Sequence, residues 1–262
     1  MKKKTLAIAN TIALIVTIII NYLSNTGIFN GNTMASVSEK YHTYFTPAAY
    51  AFSIWGLIYL GLIAFIIYQG RFLLKKGKRE EFDNDKIIFQ IGWWFVISCI
   101  ANSLWIVAWL YEYIGLSVII MMILLFSLFK IVIRTHMELS NPPFKKIAFV
   151  WWPFCLYSGW ITVALIANIA AYLAKIEWDG FGISGIIWTI IMILVAGTVN
   201  LFMTWKRNMR EFSIAGVWGL VAIAVTNWYG NHTIVFTAII VSAILFISAG
   251  IHGYKNQKRF LD

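Results

Sequence analysis

No aspartate, glutamate, lysine, arginine or histidine lies near the middle of any long apolar run in this sequence. Ionisable groups inside a bilayer are costly and mark proton relays and ion pathways, so their absence argues against a proton-coupled pump and an ion channel. It argues against ordinary enzymology as well. There is no His-Glu-x-x-His, no carboxylate pair at helical spacing, no glycine-rich phosphate loop and no Ser-His-Asp set, and no catalytic residue is assigned. The two cysteines, Cys99 and Cys155, are too few for a disulfide framework and read as small apolar packing residues. With four scattered histidines they supply no metal site.

What the chain has in quantity is apolar surface. Of 262 residues 60% are hydrophobic and 12% charged, the composition of a membrane protein. Eight runs free of Asp, Glu, Lys and Arg are each long enough to carry a helix across about 30 Å of hydrocarbon. They fall near 5–24, 48–69, 87–111, 113–129, 147–174, 180–205, 212–230 and 233–254. The expected fold is all-α: a polytopic transmembrane helical bundle of about eight helices. The first run follows Met-Lys-Lys-Lys but exceeds a usual signal h-region and lacks an A-x-A site, so it reads as a span.

A net charge of +10 would suggest nucleic acid were the protein soluble. With Lys2, Lys3 and Lys4 placed in the cytoplasm and sides alternated at each span, 19 of the 21 Lys and Arg fall inside, leaving only Lys40 and Lys175 outside. That is the positive-inside pattern. The basicity is therefore orientation, both termini are expected in the cytoplasm, nucleic acid drops out, and the first partner is the lipid bilayer, on this reading a bacterial cytoplasmic membrane. The loop at 25–46 is the longest on the outer side and long enough to cover a site. The inner loop at 70–86 reads as a solvated linker whose Lys75 to Arg79 face anionic headgroups. Pro142 and Pro143 are expected to stop the fourth helix and start the fifth, and the turns at Glu112 and at 230–232 to close tight hairpins.

Thirteen tryptophans need sorting. Trp151, Trp152, Trp178, Trp205 and Trp228 lie at span ends and read as interface belt. Trp55, Trp105, Trp160 and Trp188 lie deeper, where an indole N–H needs a partner and the ring a protein wall; ligand contact and plain helix packing both fit. Depth favours a common site. Pro47, Tyr50, Phe52, Trp55 and Tyr59 descend along the second span, Asn102, Trp105 and Trp109 come late in the third, and Tyr157, Trp160, Ala164 and Asn168 share one face of the fifth. Such a pocket is apolar with a few uncharged polar fixtures, suited to a flat hydrophobic ligand.

The spacings Pro-x7-Trp-x3-Tyr (47–59), Asn-x2-Trp (102–105) and Tyr-x2-Trp-x3-Ala-x3-Asn (157–168) resemble the tryptophan-rich sensory protein, or translocator protein (TspO/MBR), family, in the same helices and order. The resemblance spans about residues 1–175, the five-helix extent of that fold, and leaves 176–262 as an additional three-helix segment packed on it. It implies a pocket under the first long loop that binds a tetrapyrrole, a sterol or a synthetic aromatic compound, for sensing or transport, with no covalent cofactor. Family members often dimerise through an exposed helix face, which the added helices would cover, so a homo-oligomer stays open. Two other activities stay open beside it: transport of an uncharged lipid or small apolar solute, and light-dependent degradation of a bound tetrapyrrole.

Overall fold

All eight expected spans are helical in the computed structural model, which describes residues 3–74, 82–140 and 142–256. The elements in chain order are α1 (Lys3–Leu23), α2 (Met34–Lys40), α3 (Ile54–Leu74), α4 (Phe82–Ile91), α5 (Trp94–Leu110), α6 (Ile114–Arg134), α7 (Phe144–Lys146), α8 (Trp152–Lys175), α9 (Gly185–Arg207), α10 (Arg210–Thr226) and α11 (His232–Asn256). No strand occurs among the described residues. Six of these stretches are long and apolar enough to cross a membrane, which makes this an integral membrane protein. The other two expected spans, α5 and α10, have 17 residues each. Both are largely walled by protein: α5 lies against α1 and α6, and α10 against α8, α9 and α11. A helix walled by protein need not present a full lipid-length apolar surface.

Several boundaries differ from expectation for local reasons. The third span is interrupted at Gly92, whose φ of +56° ends α4 and lets α5 begin afresh at Trp94. The fourth runs on to Arg134 and stops well before the prolines, at a turn where His136 and Glu138 take positive φ. Pro143 caps α7 as expected, and residues 147–151 then form a wide π turn just ahead of Pro153, which has no N–H to donate back along the helix. Trp151, assigned to the interface belt, is buried in the core at that turn, while Trp152, Trp205 and Trp228 are exposed. Trp188, read as deep, sits in the first turn of α9, where its N–H donates to the Gly180 carbonyl at 2.9 Å. The headgroup-facing run Lys75 to Arg79 lies outside the described residues.

Two apolar clusters hold the bundle together. One joins α1, α3, α5, α6 and α8; the other fills the space between α8, α9, α10 and α11. Glycines allow the helix pairs to close: a Cβ on Gly159 would meet the backbone of Phe212, and one on Gly219 would meet Val163. Helices that lipid cannot drive together by hydrophobicity associate through such close backbone approach.

Candidate aromatic site

The second span begins as a 3₁₀ turn over Ala49–Ser53, behind Pro47, and becomes α-helical only at Ile54. Trp55 therefore stands in the first turn of α3 rather than in mid-helix. Its ring is the hub of a cluster. It stacks on Tyr59 (centroids 5.5 Å apart, planes at 18°), tilts against Trp105 at 5.9 Å, and meets the edges of Tyr157 at 5.7 Å and Trp160 at 6.5 Å. Trp105 continues the run to Trp109 at 6.4 Å. Offset and edge-on pairs at these distances are the favoured arrangements of aromatic quadrupoles.

Buried amides fix the rings. Asn102, fully enclosed, accepts from Asn21 Nδ2 at 2.8 Å and from the Tyr59 hydroxyl at 3.3 Å, and its own Nδ2 donates to the Tyr157 oxygen at 2.9 Å. Asn168 accepts the Trp105 indole N–H at 2.8 Å and donates to Ser117 Oγ at 2.9 Å, whose hydroxyl donates to the Ile114 carbonyl. One donor is left over. Trp160 is 2% exposed, and its Nε1 has no hydrogen-bond partner among the described residues.

Within this cluster lies a cavity of about 40 Å³, room for a few water molecules. Eight of the twelve candidate residues line it: Pro47, Phe52, Trp55, Trp105, Trp109, Trp160, Ala164 and Asn168. Tyr59, Asn102 and Tyr157 stand behind the rings in the hydrogen-bonded network. Tyr50 is elsewhere, exposed and packed edge-on against Trp218 at 5.3 Å. Beyond Trp55 and Phe52, which border both spaces, a groove of about 440 Å³ runs between the end of α1 and the start of α3, past Ile18, Asn21 and Gly56. A separate apolar cleft of about 380 Å³ between α8 and α9 holds Tyr44, Trp178 and Trp188, without the buried amides of the aromatic cavity.

Sequence reasoning missed the cavity's roof. Met34 and Ser38 on α2, together with Thr46, close it from above, and Ala167 and Ala171 extend the Ala164 face of α8. The alanines were legible, since 164, 167 and 171 recur at helical spacing; α2 was not, since seven residues inside a polar loop carry little period.

Glu112 anchors that roof and does more than turn a hairpin. It sits at φ +61° between α5 and α6 and accepts from Lys40 Nζ and the Tyr41 hydroxyl, each at 2.6 Å, and from Asn32 Nδ2 at 3.3 Å; Lys175 Nζ donates to its carbonyl. Lys40 first, then Tyr41, hold its carboxyl down at about 2, and burial together with Glu112 pushes the Tyr41 phenol up to about 12. A depressed carboxyl stabilises above its unfolded value near 4.5 and loses that contribution as pH falls toward 2. Docking of α2 is therefore expected to be constant from pH 5 to 9. Glu112→Gln should loosen it by on the order of 1 kcal/mol, read as faster hydrogen exchange across residues 34–41 at neutral pH; unchanged exchange would show that the anchor contributes nothing.

The sequence profile of the family described as TSPO-like protein matches residues 7–251. The match runs through α9, α10 and most of α11, past the 1–175 that carry the three motifs. No curated protein and no solved structure matches the chain.

Proposed function

We propose that this chain, which belongs to the TSPO-like protein family, binds a flat apolar molecule, a tetrapyrrole or a sterol-like compound, among Trp55, Trp105 and Trp160, for sensing or transport. The observation that carries this reading is the unpartnered Trp160 N–H at the cavity wall. A buried donor without an acceptor costs about 1–3 kcal/mol, which a ring nitrogen, ether or carbonyl oxygen of a ligand relieves. Ring faces supply stacking surface, and the Asn102 and Asn168 amides hold those faces in place.

A cavity of about 40 Å³ is far below the roughly 300–1,000 Å³ of drug-sized sites. Entry requires the rings to part, and the shared wall of Trp55 and Phe52 is the place to part them, because its movement joins the cavity to the neighbouring groove. No Lys, Arg or His lines the cavity, so a neutral ligand is favoured over an ionised one.

The test is a titration of the protein in nanodiscs with protoporphyrin and with its dimethyl ester, followed by tryptophan quenching. Saturable quenching that weakens at least about tenfold, or 1.4 kcal/mol, in each of Trp55→Phe, Trp105→Phe and Trp160→Phe is expected, with the ester binding no more weakly than the acid. Equal, non-saturating quenching in every variant would refute the reading.

A further inference from the structure

Glu138, Cys155 and Glu211 are brought together from the turn after α6, the first turn of α8 and the first turn of α10. We propose that these three side chains bind a borderline divalent metal ion, zinc being the best match, through one thiolate and two carboxylates, with water as the fourth ligand. The site is independent of the aromatic cavity. It lies at the far end of α6, a helix of 21 residues and so about 31 Å long, from the Glu112 anchor.

Geometry is the first support. One ligand atom from each residue lies within 4.8 Å of the other two. Zn–S near 2.3 Å and Zn–O near 2.1 Å place neighbouring ligand atoms about 3.6 Å apart in a tetrahedron, so the set must draw in by about 1 Å. The second support is unsatisfied polarity. Glu138 is 7% exposed and Cys155 wholly buried, and buried oxygens of both Glu138 (Oε1) and Glu211 (Oε2) have no hydrogen-bond partner among the described residues. Buried carboxylate oxygens without donors are expensive unless a proton or a cation sits on them.

The donor set selects the ion. Carboxylates alone would suit magnesium or calcium; a thiolate between them turns the preference to zinc. The charged neighbours are Arg210 beside Glu211, Arg207 at the end of α9, and His252 of α11, which reaches the Glu138 carbonyl through Asn208. The two arginines offset the charge of a fully ionised ligand set. Burial first, then the charge of Glu211, push the Glu138 carboxyl up to about 8. Metal binding must displace the thiol proton.

Cobalt(II) reads the site directly. The full-length protein in detergent, stripped with chelator, is titrated with cobalt at pH 8. The expected result is a near-ultraviolet thiolate-to-cobalt charge-transfer band that saturates at one equivalent and is displaced by zinc. Cys155→Ser removes the band and Cys99→Ser leaves it. Glu211→Gln weakens binding by more than the roughly 10–100-fold that follows loss of an outer-shell partner. No band in the wild type, or a band that survives Cys155→Ser, overturns the proposal. If Cys155→Ser fails to fold, unchanged cobalt affinity in Glu211→Gln overturns it.

Discussion

Gly159→Leu is expected to unseat α10 from α8 and to destabilise the whole C-terminal half. A Cβ at position 159 would collide with the Phe212 carbonyl oxygen and lie 2.9 Å from its Cα. Both are backbone atoms, so no rotamer change relieves the clash; the helices must separate. Overpacking typically costs about 1–3 kcal/mol, which places Gly159→Ala near the upper end and leucine beyond it. Separation would propagate, because α10 also rests on glycines elsewhere: a Cβ on Gly216 would strike Asn200, and one on Gly219 would strike Val163. Gly70→Ala, with nothing within 4 Å of its added Cβ, is the control, expected to be neutral or stabilising by up to about 1 kcal/mol. Thermal unfolding in detergent separates the two; equal midpoints for Gly159→Ala and Gly70→Ala would show that close contact at 159 is not what seats α10.

Asn102→Leu is expected to loosen the aromatic cluster as a unit. The substitution keeps the volume but removes the acceptor for Asn21 and Tyr59 and the donor to Tyr157. Hydrogen bonds between membrane helices average about 0.6 kcal/mol and reach about 1.7, so losing three costs about 2–4 kcal/mol. Two of the lost partners are rings that flank Trp55, so the loss should also appear as broadened, red-shifted tryptophan emission. Adding Tyr157→Phe removes one orphaned hydroxyl and should recover part of the stability. A fully additive double variant would mean that Asn102 and Tyr157 do not act through their shared bond.

The eight spans were legible because length and the absence of charge are properties of a run, which survive any error in register. Much of the aromatic site was legible for a related reason: Asn102 with Trp105, and Trp160 with Ala164 and Asn168, keep their spacing on rigid helices, and the structure sets those faces against each other. Tyr50 escaped because depth alone placed it in the site: five residues before Trp55, it would stand about 140° round even a regular α-helix, and behind Pro47 it packs against Trp218 instead. Gly92 was invisible as a break because one glycine in an apolar run carries no period. The Glu112 anchor and the Glu138–Cys155–Glu211 cluster depend on residues far apart in the chain, and no local pattern announces either.

Because Trp55 leans on four rings at once, moving it aside forfeits several contacts worth about 0.5–1.5 kcal/mol each. Losing three of them makes the open form rarer than the closed one by about tenfold to a thousandfold, and the apparent affinity of any occupant is weakened by the same factor. For the ligand proposed above, opening is then expected to govern the timing. Association should level off as ligand is added, because encounter no longer limits it, and release must wait for the same rings to part. A site closed in this way fills slowly and empties slowly.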